Sequence, residues 1–485
     1  MKRILTSLIA MCCPLFLLAQ IEKEMKEFDD FIKQEQRAFN DFVEEQNKEF
    51  ANFLKENWKE YNLENPVARP KKPEPVKPTA FDKSKPVVKP QEIQVGNVTK
   101  LPIPDVKQPE KQPEKPPVKQ PVTSPARSGM SFTFYGETCV VNEQLKKRIS
   151  LNGSAEKDVA NGWESLCAGN YQKLIDDCRA IKQELSLNDW GYLLLAKTVA
   201  ENLCGREKAN EAVLMQMFIL CQSGYQSRVA RVGNRLILLY ATNDMIYGAT
   251  FVTLQGVNYY MLNYKGNQGE SIYTYAHDFG DTPRQIKMNI TANLLVGGEV
   301  KKRQLQAKDF PVQVNSEVNA GLIAFYKDYP QCDFSVYVGA PMSDEVKRSV
   351  LPALKTAIAG KSQTQAANIL LNFVQTAFPY QTDDQQFGYE KPFFADEVFY
   401  YPYCDCEDRS VLYSYLVRTL MGLDVVLLDY PRHIATAVRF TEKIAGDYVT
   451  VGGQTYIICD PTYIGASIGM AMPQFKNVAV KVLKY

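Results

Sequence analysis

Residues Cys404–His433, CDCEDRSVLYSYLVRTLMGLDVVLLDYPRH, place two thiols one residue apart at the head of an apolar run, and the role of those thiols decides how the C-terminal part of the chain is read. Asp405 is a helix-capping type, Asp408 falls three residues later in an acidic first turn, and Gly422 supplies a stop after SVLYSYLVRTLM. The spacing predicts a helix that begins at Cys406. A helix N-terminus offers unpaired backbone N–H groups and the positive end of the dipole, so a thiol there is favoured as the anion. A downward shift of about two pKa units corresponds to about 2.7 kcal/mol in favour of the thiolate. Cys406 is therefore the candidate nucleophile. Asp408 reads as a cap or ion-pair partner, and Glu407 and Arg409 read as helix surface.

Strand-like segments follow: DVVLLDY up to Pro431, HIATAVRF headed by His433, then YVTVGG and QTYIICDPT, a hairpin ending at Asp460. If these strands pair beside the helix, His433 meets Cys406 as general base and Asp460 holds the ring from behind. Cys406 and His433 lie 27 residues apart, as do His433 and Asp460, which suits one compact helix-plus-sheet unit. Together DCEDRS with its helix, the strand-opening His433 and the strand-closing DPT resemble the transglutaminase-like cysteine enzymes over about residues 360–465. The resemblance implies a papain-like Cys406–His433–Asp460 triad, an acyl-enzyme intermediate, and a peptide or protein substrate attacked at an amide bond. Protease, amidase, deamidase and cross-linking transferase chemistries all fall within it, and no cofactor or metal is expected for this chain. No Trp follows Trp190, so hydrolysis is better supported than transfer to an amine. The Cys406 N–H would hold one side of the oxyanion, and the aromatic loop FGYEKPFFADEVFYYPY, through Tyr400 or Tyr401, is expected to supply the other donor.

Two other classes compete with the enzyme. Cys404, Cys406, His433 and Cys459 could form a Cys3His zinc site, although C-x-C is less typical than C-x2-C and Cys459 and Asp460 point to opposite faces of a strand. A Cys404–Cys406 disulfide would be strained, which leaves Cys404 as packing. The other class is a non-catalytic exported scaffold that keeps the fold while its N-terminal arm and spacer make the interactions.

The whole chain has 485 residues, 45% of them apolar and 23% charged, with a formal net charge of +1. These values fit a multidomain globular α+β protein with no basic surface for nucleic acid. Lys2 and Arg3 ahead of an apolar run that closes at Ala19 read as a signal peptide over 1–19, so the mature chain is expected to be periplasmic, cell-surface or secreted. No later stretch reaches about 18 apolar residues, so no membrane span is expected after the signal. Nine cysteines remain from Cys139 to Cys459, and an odd count leaves at least one thiol without an internal disulfide partner.

Residues 20–64 carry an 11-residue repeat, FDDFIKQEQRA, FNDFVEEQNKE, FANFLKENWKE, which keeps an apolar stripe on one helix face. That stripe, over 22–61, predicts self-association in a coiled coil or docking on the protein's own body. Residues 65–129, rich in Pro and Lys, read as an extended, disordered linker. A helical region over 130–225, a β-rich region over 226–340 with QIKMNI and FSVYVG among its strands, and a catalytic domain over 341–485 complete the expected organisation. His277, in a polar turn, reads as incidental.

Overall fold

Helices and mixed sheets share the chain in segregated blocks, the α+β arrangement expected from the alternation of periodicities. The computed structural model describes residues 41–69, 80, 81, 89–101 and 127–484 other than 206, 267–269, 281 and 282, together with eight positions between 25 and 38. The signal-peptide reading of 1–19, much of the arm before residue 41 and most of the proline-rich linker lie outside the described residues. Among the described residues no helix is long and apolar enough to cross a membrane.

The arm enters as helix α1, described over residues 41–54, and is followed by strands β1 (Lys59–Asn62) and β2 (Val95–Lys100). A hairpin of β3 (Met130–Phe134) and β4 (Glu137–Val141) precedes the helices α2 (Glu156–Cys167), α3 (Gln172–Glu184), α4 (Asp189–Cys204) and α5 (Ala209–Gln222). The next block has strands β5 (Ser227–Val232), β6 (Arg235–Ala241), β7 (Phe251–Leu254), β8 (Val257–Met261) and β9 (Ser271–Thr274), then a ribbon of β10 (Val300–Gln306) and β11 (Gln313–Asn319). Helices α6 (Ala320–Lys327), α7 (Phe334–Gly339), α8 (Asp344–Ile358), α9 (Gln363–Ala377), α10 (Asp383–Phe387), α11 (Ala395–Tyr400) and α12 (Cys406–Met421) follow. Strands β12 (Asp424–Tyr430), β13 (His433–Arg439), β14 (Tyr448–Val451), β15 (Gln454–Cys459) and β16 (Val480–Lys484) close the chain. One six-stranded sheet has the order β1-β9-β5-β6-β8-β7, and the C-terminal sheet the order β14-β15-β13-β12-β16-β2.

The two outer additions, β1 and β2, come from segments with other expected roles. The arm was expected to stay helical to residue 64. Instead the helix ends at 54, and the indole of Trp58 packs edge-on against Tyr275 with centroids 5.4 Å apart. Tyr61 then pairs with Ile272 in the sheet, because tertiary burial of Trp58 and a free sheet edge outweigh helical periodicity. Docking on the protein's own body accounts for the last repeat: Phe50 and Leu54 are buried, and the Phe50 ring meets Trp163 at 4.8 Å. Phe28, Phe31 and Phe42, earlier in the same stripe, are exposed.

The linker reading also needs correction. Residues 91–101, QEIQVGNVTKL, contain no proline, and β2 within them runs parallel to β16 at the sheet edge, so the C-terminal sheet is mixed and not purely antiparallel. Ile93 is buried, its N–H donates to Tyr448 O at 2.8 Å, and the Gln91 N–H donates to Asp447 Oδ1 at 3.0 Å. Further upstream the Phe81 N–H donates to Ile464 O at 2.8 Å.

FSVYVG forms helix α7, not a strand: Ser335, Val336, Tyr337 and Val338 are all buried, so no polar face marked the period. QIKMNI is extended but unladdered, its Ile286 N–H bonding Ala241 O and its Met288 N–H bonding Asp244 Oδ2, both at 2.8 Å. The region over 130–225 opens with a hairpin before it turns helical.

Truncating Phe50 to Ala is expected to cost about 3–5 kcal/mol and lower the thermal unfolding midpoint, as for other buried aromatics. Phe28→Ala, at a side chain 63% exposed, should leave the midpoint unchanged. Calorimetry on the two variants measures both.

Candidate active site

Helix α12 is buried along the whole run from Cys406 to Val417, and it meets the sheet through strand β13. The Ser410 hydroxyl donates to Ile434 O at 3.0 Å, one residue after His433, and Ser410 lies one turn beyond Cys406 on the same helix face. Gly422, at φ 66°, ends the helix in the left-handed conformation that a stop residue needs. The N-terminal end follows the expected cap: Asp408 reaches back to accept the Asp405 N–H at 3.1 Å, and its other oxygen accepts the Phe393 N–H at 3.0 Å.

His433 and Asp460 come together. His433 Nε2 lies 2.8 Å from Asp460 Oδ2, and both residues are buried, at 0% and 3% exposure. Asp460 is itself held, since Oδ1 accepts the N–H groups of Thr462 at 2.9 Å and Tyr463 at 3.2 Å. The imidazole stacks on Phe475, with centroids 5.1 Å apart and planes 14° from parallel. If Asp460 accepts the Nε2 proton, the lone pair sits on Nδ1, and Nδ1 is buried without a hydrogen-bond partner. A thiol–imidazole hydrogen bond is thus not formed in this state, although the helix that carries Cys406 is pinned to the strand that carries His433.

The thiol itself has an acidic neighbour. Cys406 is 1% exposed, and its Sγ lies 3.2 Å from Glu407 Oε2. Glu407 and Arg409 were expected on the helix surface, yet they are 2% and 1% exposed. Polar residues at a helix start read as solvated because the sequence does not show that α10, α11 and the 460–466 turn close over them. Arg409 donates to the main-chain oxygens of Phe378 at 2.6 Å and of Gln375 and Pro461, each at 3.4 Å. Gln375 adds bonds from Nε2 to the oxygens of Asp460, Tyr463 and Ala466. Arg409 and Gln375 therefore tie α12 to the turn that follows Asp460.

Asp383, Asp405, Glu407 and Asp408 bury four carboxyl groups around this helix tip. Burial first, then the neighbouring Asp408 and Glu407 charges, push Asp383 up to about 10. Burial and Glu407 push Asp405 and Asp408 upward in the same sense. The anion niche expected at the helix tip is therefore already filled by carboxyl groups, and negative charge on them works against a resting thiolate.

Asp405, Cys406 and Glu407 form one group, and Asp383, Glu390 and Glu407 another, whose ligand-type atoms fall within 4.8 Å of one another. The Cys3His set does not assemble among the described residues: His433 is engaged by Asp460, Cys459 sits against the Tyr413 hydroxyl, and Cys404 against Arg409. All nine cysteines from Cys139 to Cys459 are thiols, with no disulfide among the described residues.

Of the two tyrosines expected near the thiol, the Tyr400 ring lies under Lys301 Nζ at 4.3 Å, and Tyr401 packs on Phe393 with centroids 5.0 Å apart. Tyr380 is the tyrosine that neighbours Cys406. Its hydroxyl is buried without a hydrogen-bond partner, the titratable groups that face it are Cys406, Asp405, Glu407 and Arg409, and the Arg409 guanidinium lies 5.3 Å over its ring. Its sequence context, FPYQT after α9, contains no motif, and only the pairing of Tyr380 with Cys404 brings it to the thiol.

Comparison of the chain with family models, with curated proteins and with solved structures gave no match.

The raised carboxyl groups fix a sign for stability. Below about pH 4 folded and unfolded states both hold the Asp383 proton; between there and about 10 only the folded state does, so stability falls as pH rises through that window. Asp383→Asn should make the fall in unfolding midpoint between about pH 5 and 9 shallower, one of the raised acids being removed. Thermal melts of both proteins across that range measure it.

Proposed function

We propose that the chain is an exported thiol hydrolase of transglutaminase-like type, acting on peptide or amide bonds through Cys406, His433 and Asp460. The observation that carries this reading is the buried His433–Asp460 pair at 2.8 Å, with its second ring nitrogen unengaged and its strand pinned to the nucleophile's helix. The Cys406 thiol gives its proton to His433 Nδ1 as Sγ bonds to the substrate carbonyl carbon. The oxyanion is held by the Cys406 N–H and the Tyr380 hydroxyl. The C–N bond then breaks and the amine leaves with the proton from His433. Water, deprotonated by the same nitrogen, cleaves the thioester and restores the thiol. Asp460 stabilises the imidazolium and keeps the tautomer.

A second reading is a non-catalytic exported scaffold of the same fold. It is favoured by the near-complete burial of Cys406 beside the Glu407 carboxylate.

Alkylation with iodoacetamide, mapped by mass spectrometry, separates the two. Burial pushes the Cys404 and Cys139 thiols up to about 11, where only about one in a thousand is ionised near pH 8, so these set a slow background. The enzyme reading expects one fast-labelled residue, Cys406, slowed about 100-fold by His433→Ala and several-fold by Asp460→Asn. Labelling of Cys406 at the background rate of Cys404 would favour the scaffold.

A further inference from the structure

We propose that the acidic recess beside Cys406 is a subsite for an arginine- or lysine-bearing peptide, and that Arg69 of the N-terminal segment occupies it as an internal ligand. The inference deepens the thiol-hydrolase reading by naming a substrate class, but the recess itself stands on independent geometry.

The segment arrives in extended form. The Glu64 N–H donates to Phe251 O, and Val67 O accepts the Gly248 N–H, both at 2.9 Å, so the main chain is held as a bound peptide would be. Beyond Val67 the Arg69 side chain turns inward, 11% exposed, although the sequence around it, NPVARPKKP, reads as spacer. Its guanidinium lies 5.0 Å over the Phe334 ring and 3.7 Å from Glu390 Oε1, and Glu407, Tyr337 and Asp383 also face it. A flat cation on an aromatic face beside a carboxylate is the ordinary chemistry of arginine recognition.

Two observations show that the recess is not matched to Arg69 alone. Arg69 Nη1 is buried and makes no hydrogen bond, so this nitrogen stands 3.7 Å from Glu390 Oε1 without bonding to it. Asp405 Oδ1 is likewise without a hydrogen bond in a residue 2% exposed, and Asp405 faces Glu407, Asp408, Asp383 and Glu390. The cluster thus keeps a buried polar oxygen that Arg69 does not meet. Glu407 links it to the chemistry, because the same carboxylate lies 3.2 Å from Cys406 Sγ. A positive side chain placed there offsets the negative charge that opposes the thiolate, so binding of the right peptide and activation of the sulfur become one event.

The test uses the full chain and a fluorescently labelled peptide of sequence VARP, copied from residues 67–70, with VAAP as control. Arg69→Ala should bind VARP at least about tenfold more tightly than the unaltered chain, since it no longer competes at millimolar effective concentration. It should discriminate against VAAP, and adding Glu390→Gln should remove the binding. Equal binding of VARP and VAAP, or of VARP to Arg69→Ala and the unaltered chain, overturns the proposal. Glu390→Gln alone gives a second readout: faster amide hydrogen exchange over residues 64–69 supports the internal ligand, and unchanged exchange counts against it. Retained VARP binding in Arg69→Ala carrying Cys406→Ser, with no fast thiol in the parent, would leave the subsite standing while the hydrolase reading falls.

Discussion

Burying a polar helix tip is costly unless its polar groups find partners, and much of the C-terminal part of the molecule supplies partners to α12. Glu407, Asp408, Arg409, Ser410 and Ser414 all lie inside the protein. Leaving any of them unpaired costs a few kcal/mol, more if charged. Their partners come from different segments: Phe393 before α11, Phe378 and Gln375 at the end of α9, Pro461 after β15 and Ile434 in β13. The helix is therefore a joint, and the positions of His433 and Asp460 relative to Cys406 follow from how it is held.

The same burial creates an electrostatic problem at the thiol. A helix N-terminus favours one anion, but here Asp408 takes up the cap and Asp383, Asp405 and Glu407 crowd the same end. Burial and mutual charge push Asp383, Asp405 and Asp408 towards their neutral forms, which lessens this charge, and Arg69 offsets another part from the N-terminal side. The arm is thus joined to the site by charge as well as by chain connectivity. Its hydrophobic anchor, Phe50 and Leu54 in the middle of the protein, holds the segment that leads to Arg69.

Elements with a strong period or a cap were legible. The helix from Cys406 to Gly422, the strands around His433 and Asp460, and the pairing of those last two residues all follow from alternation, Gly stops and spacing. What failed had a physical reason in each case. β2 was hidden inside a Pro-rich composition, although the eleven residues 91–101 lack proline and carry Ile93, Val95 and Leu101. FSVYVG alternates like a strand but is buried on every side as α7, where periodicity has no polar face to report. Tyr380 was missed because its value lies in a single hydroxyl beside Cys406, not in a pattern.

The amino-acid sequence by itself determined the blocks of helix and sheet, the cap and stop of α12, and the chemical types at Cys406, His433 and Asp460, because these depend on local period and side-chain chemistry. Tertiary structure alone decided that Glu407 and Arg409 are interior, that Asp383 joins Glu407 beside the thiol, and that Arg69 faces both across more than three hundred residues of chain. Burial and charge proximity are properties of the closed chain: they arise only when distant segments remove water from the same volume, and no window of sequence contains that information.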